Sequence, residues 1–241
     1  MESTQFTLVV MGSGAGASHI YNGQVSSSFM LLANNQPFCL VDLGLGVGQK
    51  VVETFGGFPT DIVITHNHSD HAGDLAVVLR VEQAKQKACR VFAHTQVSQR
   101  LQQHRVAEHL EQISADNLAN WMAPEQGDFI PLAKGLSIAF YPGVHSETSF
   151  GFIIKDEHQR LRLSYTGDSQ LNTALYQTLS QADVFIMDAR PDQNAWHADF
   201  KSVEPWLKTG CYILGHGLSQ HQAQTDYTDY PLLLENQRLS F

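Results

Sequence analysis

The segment ITHNHSDHAGDL, residues 64–75, concentrates metal-binding side chains directly after an apolar strand. Three histidines and one aspartate fall within its six residues 66–71, at His66, His68, Asp70 and His71. Imidazoles two positions apart can both point into one site from an extended loop, and the carboxylate and third imidazole can then reach a second ion. The segment therefore predicts a metal site at the end of a strand.

Two other interpretations of this histidine cluster are a closed structural zinc site and a surface cluster in solvent. Structural zinc sites usually include cysteine ligands. The three cysteines, Cys39, Cys89 and Cys211, instead lie in or beside predicted strands away from these histidines. We expect them to be reduced core residues, which argues against structural zinc here.

Residues of ligand type also follow three other predicted strands. They are His145 after YPGV, Asp168 after SYTG and His216 after CYILG. Each of them alone would be interpreted as a capping or hydrogen-bonded residue. Four strand ends that all carry ligand types favour one shared site, because open sheets place their sites at strand ends.

The pattern H-x-H-x-D-H at residues 66–71 resembles the signature of the metallo-β-lactamase-fold superfamily. The resemblance spans nearly the whole chain, from VDLG at 41–44 to GHGLS at 215–219. It implies an α/β (α+β) fold, a four-layer αββα sandwich of two mixed β-sheets with helices on both outer faces. We expect one such domain over residues 1–241, with a C-terminal tail from about 218 to 241 that shows no clear period.

The resemblance also implies two divalent metal ions, with zinc expected and manganese or iron as alternatives. One ion would bind His66, His68 and His145, the other would bind Asp70, His71 and His216, and Asp168 would bridge the two. Asp42, in VDLG, resembles the superfamily's aspartate that supports a ligating histidine. His94, in VFAH, is expected to have a supporting role at most.

Two divalent ions lower the pKa of a bridging water, so the expected protein is a hydrolase that attacks with hydroxide. The chain is similar to ribonuclease Z-like phosphodiesterases in its early glycine loop, its Asp168 and a histidine upstream of the last ligand. That histidine, His197, would contact a phosphate oxygen or protonate the leaving alkoxide. The competing interpretation is a capping or solvent-facing histidine. Asp70 and His197 are thus the expected catalytic residues, and no organic cofactor is expected.

The expected substrate is a small anionic phosphodiester such as a cyclic nucleotide. No basic, Gly/Pro-rich insertion corresponds to the ribonuclease Z arm that grips transfer RNA. The basic residues are scattered, and the formal charge of −9 disfavours long nucleic acid as a partner.

Two alternative functions stay open at this point. Enzymes of this fold also use hydroxide on carbonyls, so a lactone, thioester or other ester is the first alternative substrate. A β-lactam is disfavoured because Asp168 stands where those enzymes generally carry a cysteine. The second alternative is a metal-bound interaction module without activity, whose acidic, aromatic tail segment DYTDYP would hold a partner.

The N-terminal stretch MESTQFTLVV lacks the positive charge of a signal peptide, and no apolar run reaches transmembrane length. We therefore expect a cytoplasmic protein without a membrane partner. The tail either drapes over the surface or packs against a second subunit, and the second arrangement would make a homodimer.

The stretch VVMGSGAGAS, residues 9–18, also matches the glycine pattern of dinucleotide-binding folds. That pattern needs a helix opening on the glycines, and the residues that follow lack helical periodicity. The dipeptide Asn34-Asn35 instead predicts a tight turn between two antiparallel strands. A loop is therefore favoured, and the superfamily resemblance implies that it lies near the metal site. Further along, polar helices are predicted over residues 95–122.

Overall fold

The computed structural model describes residues 4–111 and 113–241, whose strands form two sheets of seven strands each. The first sheet contains β1 (Phe6–Gly12), β2 (Ser28–Ala33), β3 (Gln36–Val41), β4 (Asp61–Val63), β5 (Cys89–Phe92) and β6 (Ala119–Met122). The second contains β7 (Ile130–Pro131), β8 (Ser137–Pro142), β9 (Phe150–Lys155), β10 (Leu161–Tyr165), β11 (Val184–Ala189), β12 (Cys211–Gly215) and β13 (Leu232–Leu233). The last strand, β14 (Arg238–Ser240), returns to the first sheet beside β1.

Each sheet is mixed, with an antiparallel part and a parallel part. Strands β14, β1, β2 and β3 pair antiparallel, and β3 to β6 pair parallel. In the second sheet β7 to β10 pair antiparallel and β10 to β13 pair parallel. This is the predicted class of fold, and it gives each sheet several strand ends at one edge.

Helices cover the outer faces of both sheets. They are α1 (Val47–Phe55), α2 (Ser69–Ala72), α3 (Leu75–Ala84), α4 (Thr95–Arg100), α5 (Ala115–Leu118), α6 (Thr173–Leu179), α7 (Phe200–Val203) and α8 (Gln220–Thr225). Buried residues of α1 and α3 join the main core, whereas those of α6 and α7 pack in a second cluster against β11 and β12. None of the helices in the described part of the chain is long and apolar enough to cross a membrane.

The part of the main core that lies between the two sheets contains several aromatic rings. Phe29 of β2 meets Tyr165 of β10 edge to face, with ring centroids 5.3 Å apart. Phe152 of β9 packs on the same tyrosine at 6.0 Å. Because such pairs add to the free energy gained by burial alone, they help to fix the two sheets face to face.

The loop after β1 is not a dinucleotide site. The strands that follow it, β2 and β3, pair antiparallel around Asn34 and Asn35, whose φ angles of 49° and 62° are those of a tight hairpin turn. The glycines lead into a short 3-10 helix, Ala17–Asn22, and β2 then returns antiparallel to β1, so no crossover helix links these two strands in the described chain. The three cysteines are free and buried, as predicted.

The prediction of polar helices over residues 95–122 was wrong for its last four residues. These form β6, which pairs parallel with β5 through Val91 and Trp121. The helical period there was loose, and pairing with an open sheet edge outweighs weak local propensity. Gln112, within the predicted helical span, lies outside the described residues.

The C-terminal tail contributes one strand to each sheet. β13 pairs parallel with β12, and β14 pairs antiparallel with β1 through Leu8 and Leu239. Phe241 is buried and stacks on Phe6. The tail therefore completes the edges of both sheets.

Candidate metal site

The strand ends of both sheets meet at one edge, where the two sheets are also joined. The Phe150 backbone N–H donates a hydrogen bond to the Thr65 carbonyl across 3.1 Å, and His66 and Ser149 form an isolated antiparallel bridge. Here the loop after β4 carries His66 and His68 into the space between the ends of β8 and β10. Six of the seven predicted ligands are buried or have side chains almost entirely shielded from solvent: His66, Asp70, His71, His145, Asp168 and His216.

Three imidazoles form the first cluster. Nδ1 of His68 lies 3.1 Å from Nε2 of His66 and 3.1 Å from Nε2 of His145. All three can place a ring nitrogen within 4.8 Å of the others, a spacing compatible with one ion. Burial lowers the pKa of His66, and the neighbouring His71 lowers it further, so this ring is neutral and can donate its lone pair.

Asp168 lies between this cluster and a second one, which contains His71 and His216. Its Oδ1 is 3.3 Å from Nε2 of His71 and 3.3 Å from Nδ1 of His216. Its Oδ2 faces the first cluster, 4.0 Å from Nε2 of His66. Burial alone would raise the pKa of this carboxyl, but the His71 and His216 rings outweigh burial and hold it well below its ordinary range. One carboxylate thus presents an oxygen to each cluster.

The facing atoms of the second cluster are close together but not hydrogen-bonded. His71 Nε2, Asp168 Oδ1 and both ring nitrogens of His216 are buried and make no hydrogen bond within the described residues. Such orphaned polar atoms are rare in folded proteins because each costs free energy. Their donor types, imidazole nitrogen and carboxylate oxygen, are those that bind divalent transition metals. The residues therefore fit a metal ion.

Asp42 holds His71 from behind. Its Oδ2 accepts a hydrogen bond of 2.7 Å from Nδ1 of His71, which leaves Nε2 free to face Asp168. Its Oδ1 also accepts from the Thr65 backbone N–H at 2.8 Å. Asp42 has a φ of 58°, an unusual backbone conformation for a residue other than glycine, and such conformations concentrate at functional sites.

Asp70 lies at the rim of the site, next to the glycine loop. Its Oδ2 accepts a hydrogen bond from the Gly16 backbone N–H at 2.6 Å and lies 3.8 Å from Nε2 of His71. Its carboxyl pKa is lowered: burial and the neighbouring Asp168 oppose this, but His71, His216 and the hydrogen bond from Gly16 together outweigh them. The glycine loop therefore lies at the same edge as the ligands, as the sequence predicts.

His197 is paired with an acidic residue that the sequence analysis missed. Nδ1 of His197 lies 2.7 Å from Oδ2 of Asp188, which is fully buried in β11. Oδ1 of the same carboxylate lies 2.9 Å from Nδ1 of His216. Asp168, Asp188, His197 and His216 thus form another group that could hold an ion.

Comparison with known proteins places the chain in a family. The model of the family described as "Anti-Pycsar protein Apyc1" matches residues 6–209. The chain belongs to the Apyc1 family. Among curated proteins, no match to this sequence is found.

Several solved structures share the fold of this Apyc1-family chain. The metallo-β-lactamase-fold protein YhfI from Bacillus subtilis has a TM-score of 0.75 and 16% identity, over 99% of this chain and 100% of YhfI. A diphosphatase of the PhnP family has a TM-score of 0.71 and 19% identity, over 98% of each chain. The short form of human tRNase Z has a TM-score of 0.68 and 16% identity, over 97% of this chain and 98% of that chain. These likenesses establish the metallo-β-lactamase fold that the sequence pattern predicts.

Four candidate ligands of the Apyc1-family chain, His68, Asp70, His145 and Asp168, border an open cleft of about 730 Å³. Its lining also includes the glycine loop and a wall formed by the segment from Arg190 to His197. The backbone carbonyl of Trp196 lies 3.0 Å from Nδ1 of His145, so this wall also orients a candidate ligand. A small molecule can therefore reach the edge where both clusters lie.

His94 is not brought into this group. Its ring stacks on Phe150 at 3.7 Å, and its Nδ1 accepts from the Gln96 backbone N–H at the start of α4. Burial lowers the pKa of this ring. Its described contacts are those of a helix-capping, core-packed histidine.

The missed residue, Asp188, carried the same signal as the predicted ligands. The run DVFIMD ends a buried strand with an acid, as SYTGD does for Asp168. Applying the strand-end rule to every strand would have included it. Its partner His197, nine residues later, could be matched to it only in the folded chain.

Proposed function

We propose that this protein is a metal-dependent phosphodiesterase that hydrolyses a small phosphodiester, such as a cyclic nucleotide, with two divalent ions, zinc in the first instance. The observation that carries the proposal is Asp168, which presents one oxygen to each of two histidine clusters. In the second of these, the nitrogens of His71 and His216 that face it make no hydrogen bond within the described residues. The metallo-β-lactamase fold, shared with a diphosphatase and a tRNase Z, supports a metal-dependent hydrolase. When bound, two such ions lower the pKa of a water and offset negative charge on the substrate.

The ligand set follows the two clusters. His66, His68 and His145 would hold one ion. His71, His216 and Asp70 would hold the other, with Asp168 shared, since Asp168 Oδ1 lies 3.3 Å from a ring nitrogen of His71 and of His216, and Asp70 Oδ2 lies 3.8 Å from His71 Nε2. Asp42 fixes the His71 tautomer so that Nε2 stays available, which is the usual task of a carboxylate behind a metal ligand.

His197 is placed to act as the general acid. Its Nδ1 proton is held by Asp188, so Nε2 is the nitrogen that can give a proton to the leaving alkoxide. The buried Asp188 carboxylate is ionised: burial and the neighbouring Asp168 raise its pKa, but Arg190, His216 and His197 together hold it well below its ordinary range.

The interaction-module alternative is weakened by the position of the tail. Tyr227 and Tyr230, the aromatic residues of DYTDYP, pack on the buried Phe200 with ring centroids 5.2 Å and 4.8 Å away. Their rings are thus engaged within the chain. The tail segment proposed to hold a partner instead packs on α7.

The test is hydrolysis of bis(p-nitrophenyl) phosphate by protein of known metal content, beside p-nitrophenyl acetate and a lactone. Zinc and manganese are each added to separate samples. Preferential, metal-dependent cleavage of the diester is the expected result and would justify a screen of cyclic nucleotides. Cleavage of the ester or lactone alone would assign the protein to the carbonyl hydrolases.

A further inference from the structure

Arg190 is the single Lys or Arg side chain among the described residues that line the cleft. It follows β11 directly, two residues after Asp188, and its side chain is 14% exposed. The cleft is otherwise lined by histidine, acidic, small and uncharged residues. The fixed positive charge of Arg190 therefore distinguishes it from the other residues that line the cleft.

The guanidinium is anchored from behind. Nη1 donates to the His216 carbonyl at 3.3 Å, and Nη2 lies 3.2 Å from both ring nitrogens of His197. The buried Nε lies 3.8 Å from Asp188 Oδ1 and makes no hydrogen bond within the described residues. These contacts use part of the five-donor fork and leave donor capacity for a further acceptor.

The same fork lies next to the shared carboxylate. Nη2 of Arg190 is 3.7 Å from Oδ2 of Asp168, the oxygen that also faces His66 and His145. A substrate group bound at the clusters would therefore lie close to the guanidinium. Planar guanidinium forks match phosphate oxygens in geometry and charge, whereas a neutral carbonyl substrate offers no negative charge to pair with.

We propose that Arg190 binds a non-bridging phosphate oxygen of the substrate and thereby selects phosphodiesters over neutral carbonyl compounds. The inference rests on the proposed function, since it assigns an anionic group to the substrate. The competing role for Arg190 is structural, as a counter-charge that holds Asp168 and Asp188 in place.

The experiment compares Arg190→Gln and Arg190→Lys with the unsubstituted protein, all loaded with zinc and analysed for metal. Arg160→Gln is the matched control, because Arg160 pairs with Asp183 on the surface and its side chain is 64% exposed. For each protein, kcat and KM are measured for bis(p-nitrophenyl) phosphate and for p-nitrophenyl acetate. Binding of inorganic phosphate is measured by titration calorimetry, which reads the site without turnover.

Arg190→Gln is expected to weaken phosphate binding and to lower kcat/KM for the diester by about ten- to hundred-fold, as for a lost charged hydrogen bond. The ester rate and the metal content should stay close to those of the unsubstituted protein. Arg190→Lys should recover part of the phosphate affinity, because it keeps the charge and loses the fork.

Unchanged phosphate affinity, an equal loss on both substrates or loss of the metal in Arg190→Gln would overturn the proposal. If the unsubstituted protein binds phosphate through Arg190 but cleaves no diester, the proposed function fails and the anion site stands. If it cleaves the diester and Arg190→Gln does so equally well, only the role of Arg190 fails.

Discussion

The carboxylate of Asp42 lies 2.7 Å from Nδ1 of His71 and holds that ring with its other nitrogen aimed at Asp168. The contact joins the end of β3 to the segment that carries most of the candidate ligands. Asp42 takes a φ of 58° to make it. A strained backbone kept at this point indicates that the position of the His71 ring matters for the site.

Asp42→Asn is expected to lower metal affinity by about 10- to 100-fold, because the amide keeps the shape but loses the charge that fixes the His71 tautomer. Asparagine also tolerates the left-handed backbone, so the fold should persist. Competition with a chelator measures the affinity, and Asp116→Asn, an exposed change, is the control. Equal affinities in both variants would mean that Asp42 does not tune the ligand.

Gly44→Ala should crowd the segment that carries Asp70 and His71. An added Cβ at Gly44 would lie 2.0 Å from the Asp70 carbonyl oxygen, whereas one at Gly57 would meet nothing within 4 Å. We expect Gly44→Ala to cost about 1–3 kcal/mol of unfolding free energy, as overpacking does, and to weaken metal binding. Urea denaturation of the two variants, with and without zinc, checks this. A Gly44→Ala protein as stable as Gly57→Ala would show that Gly44 does not pack tightly against the Asp70 backbone.

Metal binding should release a proton from His71. Burial lowers the pKa of this ring, but the carboxylates of Asp168 and Asp42 outweigh burial and hold the pKa well above its ordinary value. In the metal-free protein, this proton contributes stability that is fully present below the unfolded-state pKa and is lost as pH rises through the folded-state pKa. The metal needs the neutral ring, so the proton must leave.

Calorimetry of zinc binding at pH 7 in buffers of different ionisation enthalpy measures this release. The observed enthalpy should depend on the buffer, and the dependence should shrink in His71→Ala. Buffer-independent enthalpies in the unsubstituted protein would contradict the assignment of a charged His71.

His197→Ala should reduce kcat on a cyclic nucleotide, whose leaving alkoxide needs a proton, by about 10²- to 10⁴-fold, the usual contribution of a general acid, while the metal content stays the same. His158→Ala, at a side chain 83% exposed, is the matched control. The same comparison tests whether His197 is a general acid or a metal ligand, since Asp188, His197 and His216 could together bind an ion. Loss of one metal in His197→Ala would make His197 a ligand and not an acid.

Much of the fold and of the site follows from local sequence. Apolar runs that end in His145, Asp168 and His216 are visible in the chain, and strand ends meet at one edge in a sandwich of this kind. The pairing of Asp188 with His197 and the placing of Arg190 beside Asp168 depend on side chains brought together by folding. No periodicity encodes such contacts, so only the structure could supply them.

The strand at 119–122 shows the same limit for the fold. Its four residues gain a partner only when β5 offers an open parallel edge. His94 shows a different limit of sequence analysis. It follows β5 as the ligands follow their strands, so its sequence position does not distinguish it from a ligand. Its stacking on Phe150 takes the ring elsewhere.

The most direct measurement is the metal content per chain of the unsubstituted protein and of Asp168→Ala, with activity on bis(p-nitrophenyl) phosphate recorded on the same samples. Asp183→Ala, at a surface ion pair, is the control. The account predicts about two ions per chain in the unsubstituted protein and in the control, and loss of both ions with loss of activity in Asp168→Ala. An Asp168→Ala protein that keeps its metal and its full activity would contradict the shared carboxylate on which the proposed site depends.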